Sequence, residues 1–124
     1  MTKLISAIRY MQGTEVIEGI SLDMSTSQEI ICLKRDTFAR MSRLRYLRLY
    51  CSTYGRSMKN KMQLSSDGLH SFPKELRYLE WCQFPMKSLP SKFSPENLVV
   101  LKLRNSKIKK LWTGTQVLLY IFYN

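Results

Sequence analysis

An apolar residue recurs with the spacing i, i+3, i+5 at four places along this 124-residue chain. The windows are Ile17-Ile20-Leu22, Leu44-Leu47-Leu49, Leu76-Leu79-Trp81 and Leu98-Leu101-Leu103, followed three residues on by Ser25, Ser52, Phe84 and Ser106. They begin at residues 17, 44, 76 and 98, so the steps are 27, 32 and 22. Solenoid units built on this spacing are about 20–29 residues long, which covers the first and last steps. The middle step is longer. The polar stretch from Ser52 to Lys61, with Gly55 inside it, reads as a loop that takes up the excess.

The spacing has a physical meaning in a strand, where alternate side chains point to opposite faces. Leu47 and Leu49 then point inward, and Tyr46, Arg48 and Tyr50 point outward. One such unit cannot bury its apolar face alone, so neighbours stack and their strands form a parallel sheet along a concave side. Strands are therefore expected over residues 18–24, 45–50, 77–82 and 99–104. The stretches between them are return segments. Asp36, Thr37 and Phe38 begin a short helix ending near Met41, with Asp36 as its cap. Met86 to Pro90 and Ile108 to Leu111 each follow a strand window. Pro73, Pro85, Pro90 and Pro95 all fall outside the windows, as they must if the windows form sheet ladders. A leucine-rich α+β domain is the competing reading, because amphipathic helices give a single window too. Four windows in order, with prolines only between them, favour the solenoid.

Composition narrows the function classes. Hydrophobic residues make up 44% and charged residues 23%, which suits one modest globular domain. The cysteines are Cys32, Cys51 and Cys82, an odd number without a CxxC pair, and His70 is the only histidine. Neither a disulfide framework nor a structural zinc site is expected. Reduced thiols point to the cytoplasm, with the nucleus as the alternative. The apolar stretch Leu4 to Ile8 is broken by Arg9 and is too short for a secretory signal. The run Val117 to Tyr123 is far shorter than the roughly 20 residues a membrane-spanning helix needs. No membrane span and no cofactor are expected.

The net charge of +11 is unevenly spread. Nine of the 20 basic residues lie between Lys34 and Lys61, and five more lie between Lys102 and Lys110. Such an excess suits nucleic acid, anionic lipid or an acidic partner. It equally suits a solvated surface that keeps a repeat protein soluble. No nucleic-acid-binding motif accompanies the charge, so the solvated surface is favoured.

The residues carry a family resemblance. The stretch Glu75-Leu-Arg-Tyr-Leu-Glu-Trp81, then Phe84-Pro85 and Lys87-Ser-Leu-Pro90, resembles the first full repeats of plant TIR-type nucleotide-binding leucine-rich-repeat disease resistance receptors. So do Phe93, Pro95-Glu-Asn-Leu-Val99, Leu101, Leu103 and Ser106-Lys-Ile-Lys-Lys-Leu-Trp112. Gly13-Thr-Glu15 with Ile17-Glu-Gly-Ile20 resembles the link from the nucleotide-binding module into the repeats, and Thr37-Phe-Ala-Arg-Met41 resembles the next unit. The resemblance covers about residues 13–116. The expected fold class is thus α/β, a short leucine-rich-repeat solenoid or partial horseshoe. It has about four parallel strands and helical or irregular return segments. The expected organisation is a non-repeat segment at 1–12, the repeats at 13–116 and an apolar tail at 117–124. None of the five glycines is followed by Lys-Ser or Lys-Thr, so no phosphate-binding loop is expected. Set against the family, the chain reads as a truncated form lacking the TIR and nucleotide-binding domains.

The resemblance implies a protein-interaction module of an intracellular immune receptor. Its partners would be a pathogen effector, a guarded host protein or other domains of a receptor. The contacts would come from outward-facing strand residues: Tyr46, Arg48 and Tyr50, then Tyr78 and Glu80, then Val100, Lys102 and Arg104. Aromatic residues and arginines are common energetic anchors at interfaces. The alternative in another class is a basic nucleic-acid-binding fragment using Arg43, Arg45, Arg48, Arg56, Lys59 and Lys61, with Tyr46 and Tyr50 as stacking faces. A third reading is a truncated gene product without independent activity. The β-prone, uncharged run at 117–123 adds an expectation of self-association through the tail. An enzyme is not expected, because no nucleophile, base and orienting group stand in a recognisable order.

Overall fold

The computed structural model describes residues 16–25, 31–33, 35–38, 41–52, 62–64, 68–70, 72–90, 93, 96–108 and 120–123. Seven strands lie among them: β1 Gly19–Asp23, β2 Ile31–Leu33, β3 Tyr46–Tyr50, β4 Met62–Leu64, β5 Tyr78–Trp81, β6 Val100–Leu103 and β7 Tyr120–Tyr123. The main sheet has the order β1-β3-β5-β6-β7, every neighbour pairing parallel. Strands from successive repeats lie side by side, as the recurring spacing requires. The four expected strands each fall within a residue or so of their expected ends.

The register shows why the spacing works. Ile20 pairs with Leu47, Leu47 with Leu79, and Leu79 with Leu101, so equivalent leucines form one row across the sheet. Leu22, Leu49 and Trp81 form a second row. Both rows are buried, as are Leu44, Leu76 and Leu98, the first positions of three windows. Ile17, the first position of the remaining window, packs partly buried against the same core. At fully buried positions each such leucine contributes on the order of 1.5–3 kcal/mol through apolar surface removed from water.

The return side holds an aromatic cluster that fills the layer behind the sheet. Phe72 stacks on Phe38 at 5.7 Å between ring centroids and meets Phe93 edge-on at 5.4 Å. Trp81 meets Phe84 edge-on at 5.0 Å. Offset and edge-on geometries are those that ring quadrupoles favour.

Three features depart from or extend the sequence reading. First, Arg35 to Phe38 is a turn, not the start of a helix, so Asp36 has no helix to cap there. Single-turn bonds from Met41 N to Phe38 O and from Leu44 N to Met41 O carry the chain into β3. Second, β2 and β4 pair in parallel as a small second sheet that the windows did not announce. Third, Tyr120–Tyr123, inside the segment read as an apolar tail, pairs with β6 as a fifth strand of the main sheet. The expected boundaries, between residues 12 and 13 and between 116 and 117, lie outside the described residues. Among the described residues, no helix is long and apolar enough to cross a membrane.

Candidate functional site

The outward face of the main sheet is set by the alternation that buries the leucines. Between the buried positions, β3 offers Tyr46, Arg48 and Tyr50, β5 offers Tyr78 and Glu80, and β6 offers Val100 and Lys102. Parallel pairing aligns these residues in rows. Tyr46 lies beside Tyr78, and Tyr78 beside Val100. Ser21, Arg48, Glu80 and Lys102 form the next row. Seven of the eight residues expected to contact a partner are thus gathered on one surface. Arg104 lies just beyond β6, exposed in the turn that follows it.

Contacts along these rows fix the side chains. The rings of Tyr46 and Tyr78 stack at 4.6 Å with planes 19° apart. Tyr78 donates its hydroxyl hydrogen to Glu80 Oε1 at 2.5 Å, and Arg48 Nε donates to the same oxygen at 3.2 Å. The Arg48 guanidinium carbon sits 3.8 Å from the centroid of the Tyr50 ring, and Lys102 Nζ lies 5.6 Å from that of Tyr78. Both arrangements are cation–π contacts. A partner would therefore meet a surface whose side chains have already lost much of their rotamer freedom.

Glu80 corrects one expectation. Its position on the strand points it outward, yet it is only 6% exposed. Tyr78 and Arg48 close over it, because a carboxylate on the outer face can be covered if two donors satisfy it. Glu80 thus orients its neighbours and offers little of its own surface. The consequences appear in the titration of those neighbours. Burial, and then donation to the Glu80 carboxylate, push the Tyr78 hydroxyl well above the usual tyrosine range. Partial burial opposes ionisation of Arg48, but the hydrogen bond and charge of Glu80 outweigh it and hold the guanidinium more firmly protonated.

A second polar cluster closes the end of the sheet. Asp23 Oδ1 accepts from Ser25 N at 3.0 Å, Ser25 Oγ at 2.6 Å and Ser52 N at 3.1 Å. The hydroxyls of Ser25 and Ser52 are 3.0 Å apart. Burial disfavours the Asp23 carboxylate, yet these serine donors prevail and bring its pKa down to about 2. Ser25 and Ser52 occupy equivalent positions one repeat apart, so the fourth position of each window here stitches neighbouring repeats together.

The residues behind the competing readings lie elsewhere. Arg43 and Arg45 are exposed, while Arg56, Lys59 and Lys61 lie outside the described residues. Tyr50 has one ring face under Arg48, and Tyr46 has one against Tyr78, so each offers a base a single remaining face. Cys51 is buried, and burial followed by a hydrogen bond with Cys82 pushes its thiol up to about 12. Among the described residues, no group of three or more histidine, cysteine or acidic side chains could hold a metal ion.

Comparison with known proteins agrees with this geometry. The family described as Leucine Rich Repeat matches residues 97–116. A protein of Arabidopsis thaliana named as a putative disease resistance protein is 44% identical over 107 residues, which is 86% of this chain and 10% of its own. Disease resistance protein RRS1 of the same plant is 41% identical over 105 residues, 85% of this chain and 8% of its own. Disease resistance protein RPS4B, also from Arabidopsis thaliana, is 39% identical over 115 residues, 91% of this chain and 10% of its own. The chain thus spans about a tenth of the length of these relatives. No solved structure matches it.

Proposed function

The chain belongs to the leucine-rich-repeat region of plant disease resistance proteins, and from that premise we propose that its outward sheet face is a protein-docking surface of an immune receptor. The partner is a pathogen protein, a guarded host protein or another domain of the receptor. One observation carries this reading: aromatic and cationic side chains from three successive repeats are gathered and mutually fixed on one face. Tyrosine and arginine held this way are the residue types that dominate binding energy at protein interfaces. The role is binding and not catalysis. The buried, protonated Cys51 supports this, because a nucleophilic cysteine needs an accessible thiolate.

The test is a chimera in which this chain replaces the matching segment of RPS4B. With a chimera that supports a resistance response, Tyr46→Ala combined with Tyr78→Ala is expected to abolish the response while protein accumulation is unchanged. Each truncation at an interface anchor costs about 2 kcal/mol or more. An undiminished response from the double variant would overturn the assignment of this face.

A further inference from the structure

The way Arg48 is held says more about what the face recognises. Its guanidinium is constrained from two directions. Glu80 Oε1 takes the Nε hydrogen at 3.2 Å, and the Tyr50 ring covers one face of the plane at 3.8 Å. The two Nη groups have no further hydrogen-bond partner among the described residues. The side chain remains 36% exposed. A planar fork is thus locked in orientation with its outer donor edge turned to solvent. Guanidinium groups bind carboxylates bidentately through such an edge, and pre-orientation removes much of the entropic cost.

The surroundings define the chemistry of the occupant. Glu80 spends its charge on Arg48 and Tyr78 and is covered, and Asp23 is bonded to Ser25 and Ser52. Arg45 and Arg77 stand exposed at the entrances to β3 and β5, beside the exposed Glu18 at the entrance to β1, and Lys102 lies one strand beyond Glu80 in the Arg48 row, so the cations outnumber the one uncovered acid there. The chain as a whole carries +11. This positive surroundings favours an acidic partner and repels a basic one. Beside Arg48, two residues back along β3, lies the Tyr46–Tyr78 stack, with Tyr46 39% exposed. Residues i and i+2 of a strand are about 6.6–6.8 Å apart, and the same repeat governs an extended peptide lying on the face.

We propose that Arg48 anchors a carboxylate of the docked protein through its Nη edge, while the Tyr46–Tyr78 stack takes an aromatic or apolar side chain two residues away. The recognised element is an extended acidic segment of the form Glu-x-Phe. This rests on the reading of the outward face as a protein-docking surface.

The experiment uses the full chain and three synthetic nine-residue peptides, carrying Glu-x-Phe, Gln-x-Phe or Glu-x-Ser at their centre, with a thymidine oligonucleotide as a fourth probe. Binding is read from nuclear magnetic resonance shifts of the Arg48 Nε–H and of the Tyr46 and Tyr78 rings. The Glu-x-Phe peptide is expected to shift all three and to bind about tenfold more tightly than the Gln-x-Phe peptide, the usual worth of one charge-assisted hydrogen bond. Arg48→Lys keeps the charge without the planar fork and is expected to lose most of that preference. The double variant Arg48→Gln with Glu80→Gln removes both charges together, so no covered carboxylate is left without its cation. It is expected to remain folded and to bind the Glu and Gln peptides equally. If the wild-type chain binds both peptides equally at the tyrosines, carboxylate anchoring is overturned while the docking face stands. If no peptide shifts these residues at millimolar concentration, both readings fall. Displacement of the Glu-x-Phe peptide from this face by tighter-binding oligonucleotide would overturn the proposal in favour of nucleic acid.

Discussion

At the scale of single residues, Trp81 stands where the other windows place leucine, fully buried among aromatic rings. Its Nε1–H has no hydrogen-bond partner among the described residues. An orphaned buried donor costs about 1–3 kcal/mol, set against the large apolar area the indole fills. Trp81→Phe removes the donor along with part of the ring and is expected to cost less than about 1.5 kcal/mol in a denaturant melt. Leu79→Ala, in the same strand but with no polar atom to remove, is expected to cost about 2–5 kcal/mol. A larger loss for Trp81→Phe than for Leu79→Ala would contradict the orphaned donor. Asp23 yields a pH-dependent prediction. Its folded pKa of about 2 lies below the ordinary aspartate value of 3.8, so its contribution is present above pH 4 and fades as pH falls toward 2. Asp23→Asn is therefore expected to destabilise the chain near pH 7 and to differ little from the parent near pH 2. Equal destabilisation at both pH values would mean that the serine bonds do not depend on the carboxylate charge.

At the scale of the element, the ends of the strands determine how one repeat hands the chain to the next. Gln83 and Asn105 stand two residues beyond the buried Trp81 and Leu103 and both have positive φ, at 62° and 53°. The equivalent turn thus recurs in adjacent repeats, and Gln83 N donates to Arg104 O at 2.9 Å to tie them. Left-handed backbone costs an ordinary side chain about 1–2 kcal/mol, and asparagine is among the residues that tolerate it best. Asn105→Gly is expected to leave stability nearly unchanged, whereas Asn105→Val is expected to lose at least about 1 kcal/mol. A melt in which the two variants match would argue against the left-handed turn.

At the scale of the whole molecule, the sheet grows by adding parallel strands, so it has edges. Among the described strands β1 and β7 lie at those edges, and Tyr120–Tyr123 is uncharged and rich in β-prone residues. An open edge of that composition invites pairing with a second copy. The net charge of +11 opposes the encounter, and salt screens it over about 8–10 Å near physiological ionic strength. Sedimentation velocity is therefore expected to show a monomer at low salt and larger species as salt rises. Phe122→Lys, in register with Lys102 and so off the leucine rows, adds a charge to the edge strand and is expected to restore the monomer. A monomer at every salt concentration would end the case for association through β7.

The amino-acid sequence by itself determined the repeat, its strand positions, their parallel stacking and the division between inward leucines and outward Tyr46, Arg48, Tyr50, Tyr78, Val100 and Lys102. These follow from a two-residue side-chain alternation and a repeat length, both of which are local properties. Only the tertiary structure decided the rest. The strands β2 and β4 are three residues long, too short for any periodicity to show, and they exist because stacking brings Ile31–Leu33 beside Met62–Leu64. Phe72 enters the core because Phe38, Trp81, Phe84 and Phe93, drawn from different repeats, surround it. Glu80 is covered, despite its outward position, because parallel register places Arg48 beside it on the neighbouring strand while Tyr78 reaches it along its own. Burial, pairing and ionisation at such sites depend on which distant residues the fold makes neighbours, and alternation along one strand carries no record of the strand beside it.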